Sequence, residues 1–235
     1  MGTVRMGPPD EIISELRDAY SIKKFIETGT HYGSTACWAS RIFEHVITIE
    51  YSDGIYKQVT ENYGHINNID FMCGDTRKRL QDIVPKLDGP SLFWLDAHWS
   101  GGETYGENDQ CPIIEEIRII NGSEKDHFIF IDDARLFMSP PQPPHLIDQW
   151  PDITTIINAL NSSKSERYIV IIEDVIIAVP YFAKSAVVHY CQNVNQNIWE
   201  EYGRPQEVKG LKLIFKGVKD RIIRFLVRLK QLVAP

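Results

Sequence analysis

The chain has 235 residues, 43% of them hydrophobic, and a net charge of −7, which suits one α/β domain with appendages. It lacks the run of about 18 apolar residues that crosses a membrane, and its first residues lack the apolar core and cleavage site of a secretory signal. The four cysteines form no Cys-x-x-Cys pair, which argues against a zinc knuckle or a disulfide framework. We therefore expect a cytoplasmic protein.

Strands and helices alternate along the first half of the chain. Apolar residues spaced at three and four predict a helix over 10–20, and residues 1–22 are expected to form an N-terminal helical segment. Three apolar strands follow, each with a helix behind it. The strands are predicted at 24–27, 45–50 and 69–73, and the helices at 36–43, 55–63 and 76–87.

The alternation continues through a domain predicted to span 23–208. Further strands are predicted at 91–96 and 127–132, and helices at 112–120, 152–160 and 194–202; a polar, glycine-rich loop lies at 101–109 and a proline-rich excursion at 139–144. The last two strands, 167–172 and 175–179, are separated by two residues only, which permits an antiparallel hairpin and forbids a parallel crossover. We expect an α/β, Rossmann-like, doubly wound, mostly parallel seven-stranded sheet that ends in an antiparallel hairpin.

The final segment, 209–235, has the pattern of an amphipathic basic helix. Eight bases accompany one acid here, a net charge of +7, so residues 1–208 carry −14. Two interpretations stay open: the helix packs on the body or on a second copy in a homo-oligomer, or it lies on an anionic membrane as a peripheral contact at the inner face. The acidic body disfavours nucleic acid, and we predict no nucleic-acid partner.

Two glycines punctuate the loop after the first strand. They let the backbone turn sharply and approach a ligand, and the next helix offers unpaired N–H groups at its N-terminus. The spacing Glu-x-Gly-x-x-x-Gly lacks the middle glycine of the dinucleotide fingerprint, which disfavours a nicotinamide cofactor. The cofactor-binding residues predicted in this loop are Glu27, Gly29, Thr30, His31, Gly33 and Ser34.

Acidic residues stand at the ends of all five parallel strands: Glu27, Glu50, Asp75, Asp96 and Asp132. Ligands of such sheets bind beyond the carboxyl ends of the strands. Glu50 is predicted to accept hydrogen bonds from ribose hydroxyls, and Asp75 one from the adenine amine. Crowded carboxylates would repel a pyrophosphate and favour a cationic ligand. S-adenosylmethionine (SAM) is such a ligand, and Asp96 is counted among the residues that bind it.

Three carboxylates and an imidazole follow two strands that we expect to be neighbours. They belong to Asp96, His98, Asp132 and Asp133. Clustered carboxylates repel one another unless a positive charge lies between them, and an oxygen-rich site suits Mg²⁺ or another divalent cation. Such a cation could lower the pKa of a substrate hydroxyl while a nearby base removes its proton.

The strand order, the acid positions and the closing hairpin resemble the class I SAM-dependent methyltransferases over roughly residues 20–180. The Glu-Thr-Gly-x-x-x-Gly loop and the paired acids resemble the metal-dependent macrocin O-methyltransferase family, which methylates sugar hydroxyls on natural products. This resemblance implies that Asp96, Asp132 and Asp133 bind the metal, and that His98 is the general base beside Asp96. The family usually has an Asp-Gly-Asp type motif where this chain has Asp-Ala-His.

We therefore expect a metal-assisted O-methyltransferase for a hydroxyl of a sugar or glycan, which could be lipid-linked. Two alternatives stay open: a methyltransferase for a catechol or small phenol, and a non-catalytic cofactor-binding scaffold recruited by its C-terminal helix. The loop at 101–110 could form a lid over the acceptor. Candidates for lining the pocket are His31, Tyr32, Trp99, Tyr105 and Arg135.

Overall fold

The computed structural model describes residues 7–203 except 103, 105 and 107. The helices are α1 (Asp10–Tyr20), α2 (Ser34–Ala39), α3 (Asp53–Tyr63), α4 (Thr76–Ile83), α5 (Ile113–Asn121), α6 (Arg135–Met138), α7 (Ile153–Asn161) and α8 (Lys184–Gly203). The strands are β1 (Lys24–Thr28), β2 (His45–Glu50), β3 (Ile69–Cys73), β4 (Ser91–Leu95), β5 (Phe128–Ile131), β6 (Arg167–Ile172) and β7 (Val175–Pro180). The basic segment 209–235 and its predicted boundary at 208 lie outside the described residues.

The seven strands form one sheet in the order β3-β2-β1-β4-β5-β7-β6. The first five strands run parallel, whereas β7 is antiparallel to both β5 and β6. This arrangement confirms the predicted Rossmann-like, mostly parallel sheet with its antiparallel hairpin. The strand order reverses between β1 and β4, which is where such sheets open a crevice for a ligand.

Helices cover the sheet, and the near-continuous apolar strands are buried between them. On one face, Ile117 of α5 and Ile156 of α7 pack in the same core as Phe93 of β4, and all three are fully buried. Helix α1 is also part of the fold, because Ile12 and Leu16 have no solvent exposure. Each such side chain contributes about 1.5–3 kcal/mol when it leaves water.

Three helix boundaries differ from those predicted by four residues or more. Helix α2 ends at Ala39, since the Ser40 hydroxyl donates to the carbonyl of Cys37 and competes with the helical bonding. Helix α4 ends at Ile83 and gives way to a 3-10 turn that contains Pro85, which has no N–H to donate. Helix α8 begins at Lys184, ten residues before the predicted start, because its mixed polarity hides the helical period.

The chain divides into two units at residues 191 and 192; of the described residues, 7–191 belong to the first and 192–203 to the second. The first contains the sheet and its helices, and the division falls within α8. Within the part of the chain that the structure describes, no helix combines the length and apolar character needed to cross a membrane.

A carboxylic acid lies inside the first unit. Glu116 of α5 is fully buried, and it accepts a hydrogen bond of 3.4 Å from the hydroxyl of Thr28. Burial raises the pKa of this carboxyl to about 8, against the opposing effect of the Thr76 and Thr28 hydroxyls. The folded protein therefore holds the Glu116 proton more tightly than the unfolded chain does.

This acid gives a prediction for stability. The ordinary pKa of the Glu116 carboxyl, 4.5, applies to the unfolded chain, and the raised pKa of about 8 applies to the folded protein. Between these two pH values the unfolded carboxyl ionises first, so the free energy of unfolding falls as pH rises. We expect Glu116→Gln, which stays neutral, to gain stability over the wild type between about pH 5 and about pH 8, on the order of a few kcal/mol. Urea unfolding at both pH values measures the difference, and equal pH dependence in the two proteins would contradict it.

Candidate active site

The carboxyl ends of the parallel strands lie side by side. Thr28 of β1 pairs with Ile49 of β2 and with Leu95 of β4, and Leu95 pairs with Ile131 of β5. Backbone hydrogen bonds continue just past the strands. The N–H of Asp96 donates to the carbonyl of Thr28, and the N–H of Asp132 donates to the carbonyl of Leu95. This register brings the strand-end acids to one edge of the sheet.

The loop after β1 approaches β4 through a glycine. Gly29 has φ of +86°, and a Cβ at this position would lie 2.5 Å from the carbonyl oxygen of Asp96. Gly33, with φ of +75°, precedes α2. Glycine is therefore required at 29 both for the turn and for the contact with β4.

The predicted cofactor-binding residues of this loop divide into buried and exposed groups. The carboxyl of Glu27 is buried and accepts a hydrogen bond of 2.5 Å from Thr48, whose hydroxyl also lies 2.6 Å from that of Thr30. Burial raises the pKa of Glu27 well above its ordinary value. His31 and Ser34 are exposed to solvent. The structure thus places Glu27 and Thr30 behind the loop rather than at its surface.

Glu50 and Asp75, the next two acids, hold different partners. Glu50 accepts the N–H of His31 at 2.8 Å on one oxygen and that of Ser52 at 2.9 Å on the other. Asp75 caps α4, and its oxygens bind the Arg77 guanidinium at 2.8 and 3.0 Å. That hydrogen bonding holds the pKa of Asp75 below its ordinary value. The Arg77 guanidinium, which sequence reasoning missed, thus binds the carboxylate that was predicted to accept a hydrogen bond from the adenine amine.

A cluster of charged side chains lies at the ends of β4 and β5. The imidazole Nε2 of His98 lies 3.0 Å from Oδ2 of Asp133 and 3.4 Å from Oδ1 of Asp96. One ligand atom from each of these three residues lies within 4.8 Å of the others, as a shared metal ion requires. His98, predicted as the base, thus joins Asp96 and Asp133 in the group that could bind a cation.

The electrostatics of this cluster are strongly coupled. Burial opposes a charge on His98, but the hydrogen bonds that its imidazole donates to Asp133 and Asp96, with the charges of these two carboxylates, outweigh burial and raise the pKa of the imidazole to about 10. Burial acts on Asp133 too, yet His98 and the Arg135 charge hold the pKa of Asp133 below its ordinary value. In this state the imidazole already carries the proton that a base would accept.

Asp132, the third predicted metal ligand, is turned differently from Asp133. One of its oxygens accepts the N–H of Asp133 at 2.8 Å, and it is not one of the three residues whose ligand atoms converge. Burial, together with the charges of Asp96 and Asp133, raises the pKa of Asp132 to about 7. The neighbouring Asp133 adopts φ of +55°, an uncommon conformation that places its side chain toward His98.

A cavity that is open to solvent lies between the β1 loop and this cluster. The predicted residues that line it are Gly29, His31, Glu50, Asp96 and His98. Further lining residues, which sequence reasoning missed, are Tyr51, Thr76, Ala97, Ser100 and Thr104. Thr76 directly follows an acid at a strand end, so its position in the sequence could have indicated it.

An aromatic group lies beside His98. The ring of Trp150 is 5.4 Å from that of His98 and 5.2 Å from that of His145, which in turn is 5.4 Å from Trp99. The buried side-chain oxygen of Gln110 accepts hydrogen bonds from the Trp150 indole and the N–H of Leu146, both at 2.9 Å. Sequence reasoning missed Gln110, because a single glutamine in a polar loop carries no recognisable pattern.

The residues predicted to line the pocket do not all lie at the cavity. His31 lines the cavity and stacks at 4.0 Å on Tyr32, which is 64% exposed. Trp99 is buried. Arg135 binds Asp133 at 2.7 Å and also binds Asp174. Tyr105 and parts of the predicted lid lie outside the described residues.

Several solved structures share this fold. The O-methyltransferase TomG from Streptomyces achromogenes, involved in tomaymycin synthesis and solved with SAM, matches with a TM-score of 0.52 at 12% identity, over 75% of this chain and 82% of that one. An O-methyltransferase from Bacillus cereus, solved with SAH, matches with a TM-score of 0.52 at 15% identity, over 74% and 81%. No family model and no curated protein matches the sequence. At these identities the likeness shows the fold, that of Rossmann-like methyltransferases.

The Gly29 contact gives a prediction. We expect Gly29→Ala to lower the free energy of unfolding by at least about 2 kcal/mol, because a Cβ would strain the turn and collide with the Asp96 carbonyl. Gly89→Ala is the matched control, since a Cβ there meets nothing within 4 Å. Chemical denaturation of both variants measures the effect. Equal stability of the two variants would show that the loop is not held against β4 in this way.

Proposed function

We propose that this protein is a SAM-dependent O-methyltransferase, assisted by a divalent cation, that acts on a hydroxyl of a sugar or glycan. One observation carries the proposal: Asp96 and His98, whose ligand atoms converge with one of Asp133, border the same cavity as Gly29 and Glu50, at the point where the strand order reverses. A methyl donor and a hydroxyl acceptor must meet at such a place.

The proposed cofactor site is supported by the hydrogen-bond acceptors of Glu50 and by the negative charge of Asp96. Each oxygen of Glu50 holds one backbone N–H, and a carboxylate oxygen can accept a further hydrogen bond, here from a ribose hydroxyl. The Asp96 carboxylate belongs to a residue that borders the same cavity, and its negative charge would favour the positive sulfonium. Two structures that share the fold are bound to SAM or SAH.

The cation half is supported by the donor set. Two carboxylates and an imidazole with converging atoms fit Mg²⁺ or another divalent cation, with Asp96, Asp133 and, once its imidazole has released the proton, His98 as its ligands. Such a cation, when bound, polarises an acceptor hydroxyl and lowers its pKa. Asp132, partly buried beside this group, offers a further carboxylate, whose raised pKa of about 7 suits the acceptance of a proton.

The acceptor class is inferred from the sequence resemblance to sugar O-methyltransferases. One observation favours the alternative of a small phenol: Met138, Leu146 and Ile147, on the segment that carries Trp150, expose between 43% and 64% of their surface. A phenol needs apolar walls, whereas a sugar needs several polar contacts. We keep the phenol as a second candidate. Recruitment to lipid-linked glycans by 209–235 is likewise a proposal.

Cofactor binding is the first test. We expect SAH to bind the wild type, and Glu50→Gln to weaken it at least about tenfold, since an amide nitrogen replaces one acceptor oxygen. Calorimetric titration measures both affinities. Glu44→Gln, an exposed acid just before β2, serves as the control. The proposal is wrong if SAH does not bind.

Methyl transfer from labelled SAM is the second test. We expect transfer to free sugars or glycans to require Mg²⁺, and Asp133→Asn to lose at least about a hundredfold in rate. Asp126→Asn, an exposed acid before β5, is the control and should keep full activity. Catechols assayed in parallel separate the two acceptor classes. Equal activity in chelator and in Mg²⁺ would remove the cation from the proposal and leave the methyltransferase.

A further inference from the structure

The turn of the β6–β7 hairpin lies at the same edge of the sheet as the acidic cluster. Because β7 is antiparallel to β5, it begins where β5 ends, and Ile176 pairs with Ile131. The two turn residues, Glu173 and Asp174, are therefore brought next to the segment that follows β5. They are separated from that segment by about forty positions of chain, and sequence reasoning assigned them only the role of a short turn.

These two residues are unusual choices for their conformation. Glu173 has φ of +50° and Asp174 has φ of +69°. A two-residue hairpin turn with both φ positive is ordinarily formed by Asn-Gly or a similar pair. A residue with a Cβ is disfavoured there by about 1 kcal/mol. A turn that served the hairpin alone would be better made with glycine, which indicates that the side chains have contacts of their own.

Asp174 bonds to the segment after β5 through both its backbone and its side chain. Its carbonyl accepts the N–H of Ala134 at 2.8 Å, and its Oδ1 accepts the N–H of Arg135 at 2.8 Å. Its other carboxylate oxygen binds the Arg135 guanidinium. The carboxylate is 5% exposed, so these bonds are shielded from water. Asp174 thus holds both the backbone and the side chain of this segment.

Arg135 links Asp174 to the cluster formed by Asp96, His98 and Asp133. The same guanidinium nitrogen that binds Asp174 lies 2.7 Å from Oδ1 of Asp133. The other oxygen of Asp133, Oδ2, lies 3.0 Å from His98. Asp133 is therefore held from both sides, by His98 within the site and by Arg135 outside it. The Arg135 side chain is 47% exposed. Without the Asp174 carboxylate, this long side chain would be free to leave Asp133 and extend into water.

We propose that Asp174 is a positioning residue for Asp133, acting through Arg135 from the tip of the β6–β7 hairpin. It aims Oδ2 of Asp133 at the place shared by His98 and, in the proposed function, by a divalent cation. Glu173, the other turn residue, is the comparison for this role, and its carboxylate binds the hydroxyl of Tyr190 in α8. The inference rests on the proposed function only for the cation.

The test compares Asp174→Gly with Glu173→Gly in the full chain, using Mn²⁺ alone as the probe and electron paramagnetic resonance to count free metal. Glycine tolerates positive φ, so neither substitution strains the turn. We expect Asp174→Gly to bind Mn²⁺ at least about tenfold more weakly than the wild type, as is typical when a metal ligand loses its supporting partner. Glu173→Gly should bind Mn²⁺ like the wild type, and both variants should keep their SAH affinity.

Two results would overturn the inference: unchanged Mn²⁺ affinity in Asp174→Gly, or an equal loss in both variants, which would assign the effect to the turn backbone. If the wild type binds no Mn²⁺, the cation half of the proposed function fails, and crystal structures of the two variants decide the inference instead. Loss of the Asp133 to His98 contact in Asp174→Gly alone would support it. Retention of that contact in Asp174→Gly would overturn it.

Discussion

The repulsion among carboxylates at one edge of a parallel sheet is the constraint on which the site depends. The register of β1, β4 and β5 forces Asp96, Asp132 and Asp133 together, and charges this close destabilise the fold unless they are offset. Protonated His98 offsets the charge from within, and Arg135 does so from the side of the hairpin. A divalent cation bound by these acids would offset their charge in place of the His98 proton.

Burial governs the other acids of the same region. Glu27 and Glu116 lie beneath the edge, where the loss of water makes ionisation unfavourable, and hydroxyl groups rather than bases are their partners. Glu50 remains at the cavity with backbone N–H donors on both oxygens. Acids that look alike in the sequence therefore fall into three groups: those buried beneath the sheet edge with raised pKa values, one hydrogen-bonded at the cavity, and those paired with a base.

Much of the fold could be predicted because its signals are local. Apolar strands ending in acids, helices between them and a two-residue hairpin connection determine the sheet and place Asp96 and Asp133 together. Side-chain orientation could not be predicted, because it depends on contacts distant in the chain. Asp132 and Asp133 are adjacent in sequence, yet a positive φ at Asp133 turns only that side chain toward His98. Asp75 is bound by Arg77, and Gln110 bonds to residues almost forty positions away.

The close approach of Gly29 to the Asp96 carbonyl joins the two halves of the site mechanically. A residue that packs backbone to backbone against its neighbour transmits any displacement directly, since there is no side chain to absorb it. A ligand that moves the β1 loop must then shift the end of β4, and a cation that fixes Asp96 must restrain the loop. Two such ligands would change each other's affinity by the same factor, so the order of their binding would affect the path taken and not the final complex.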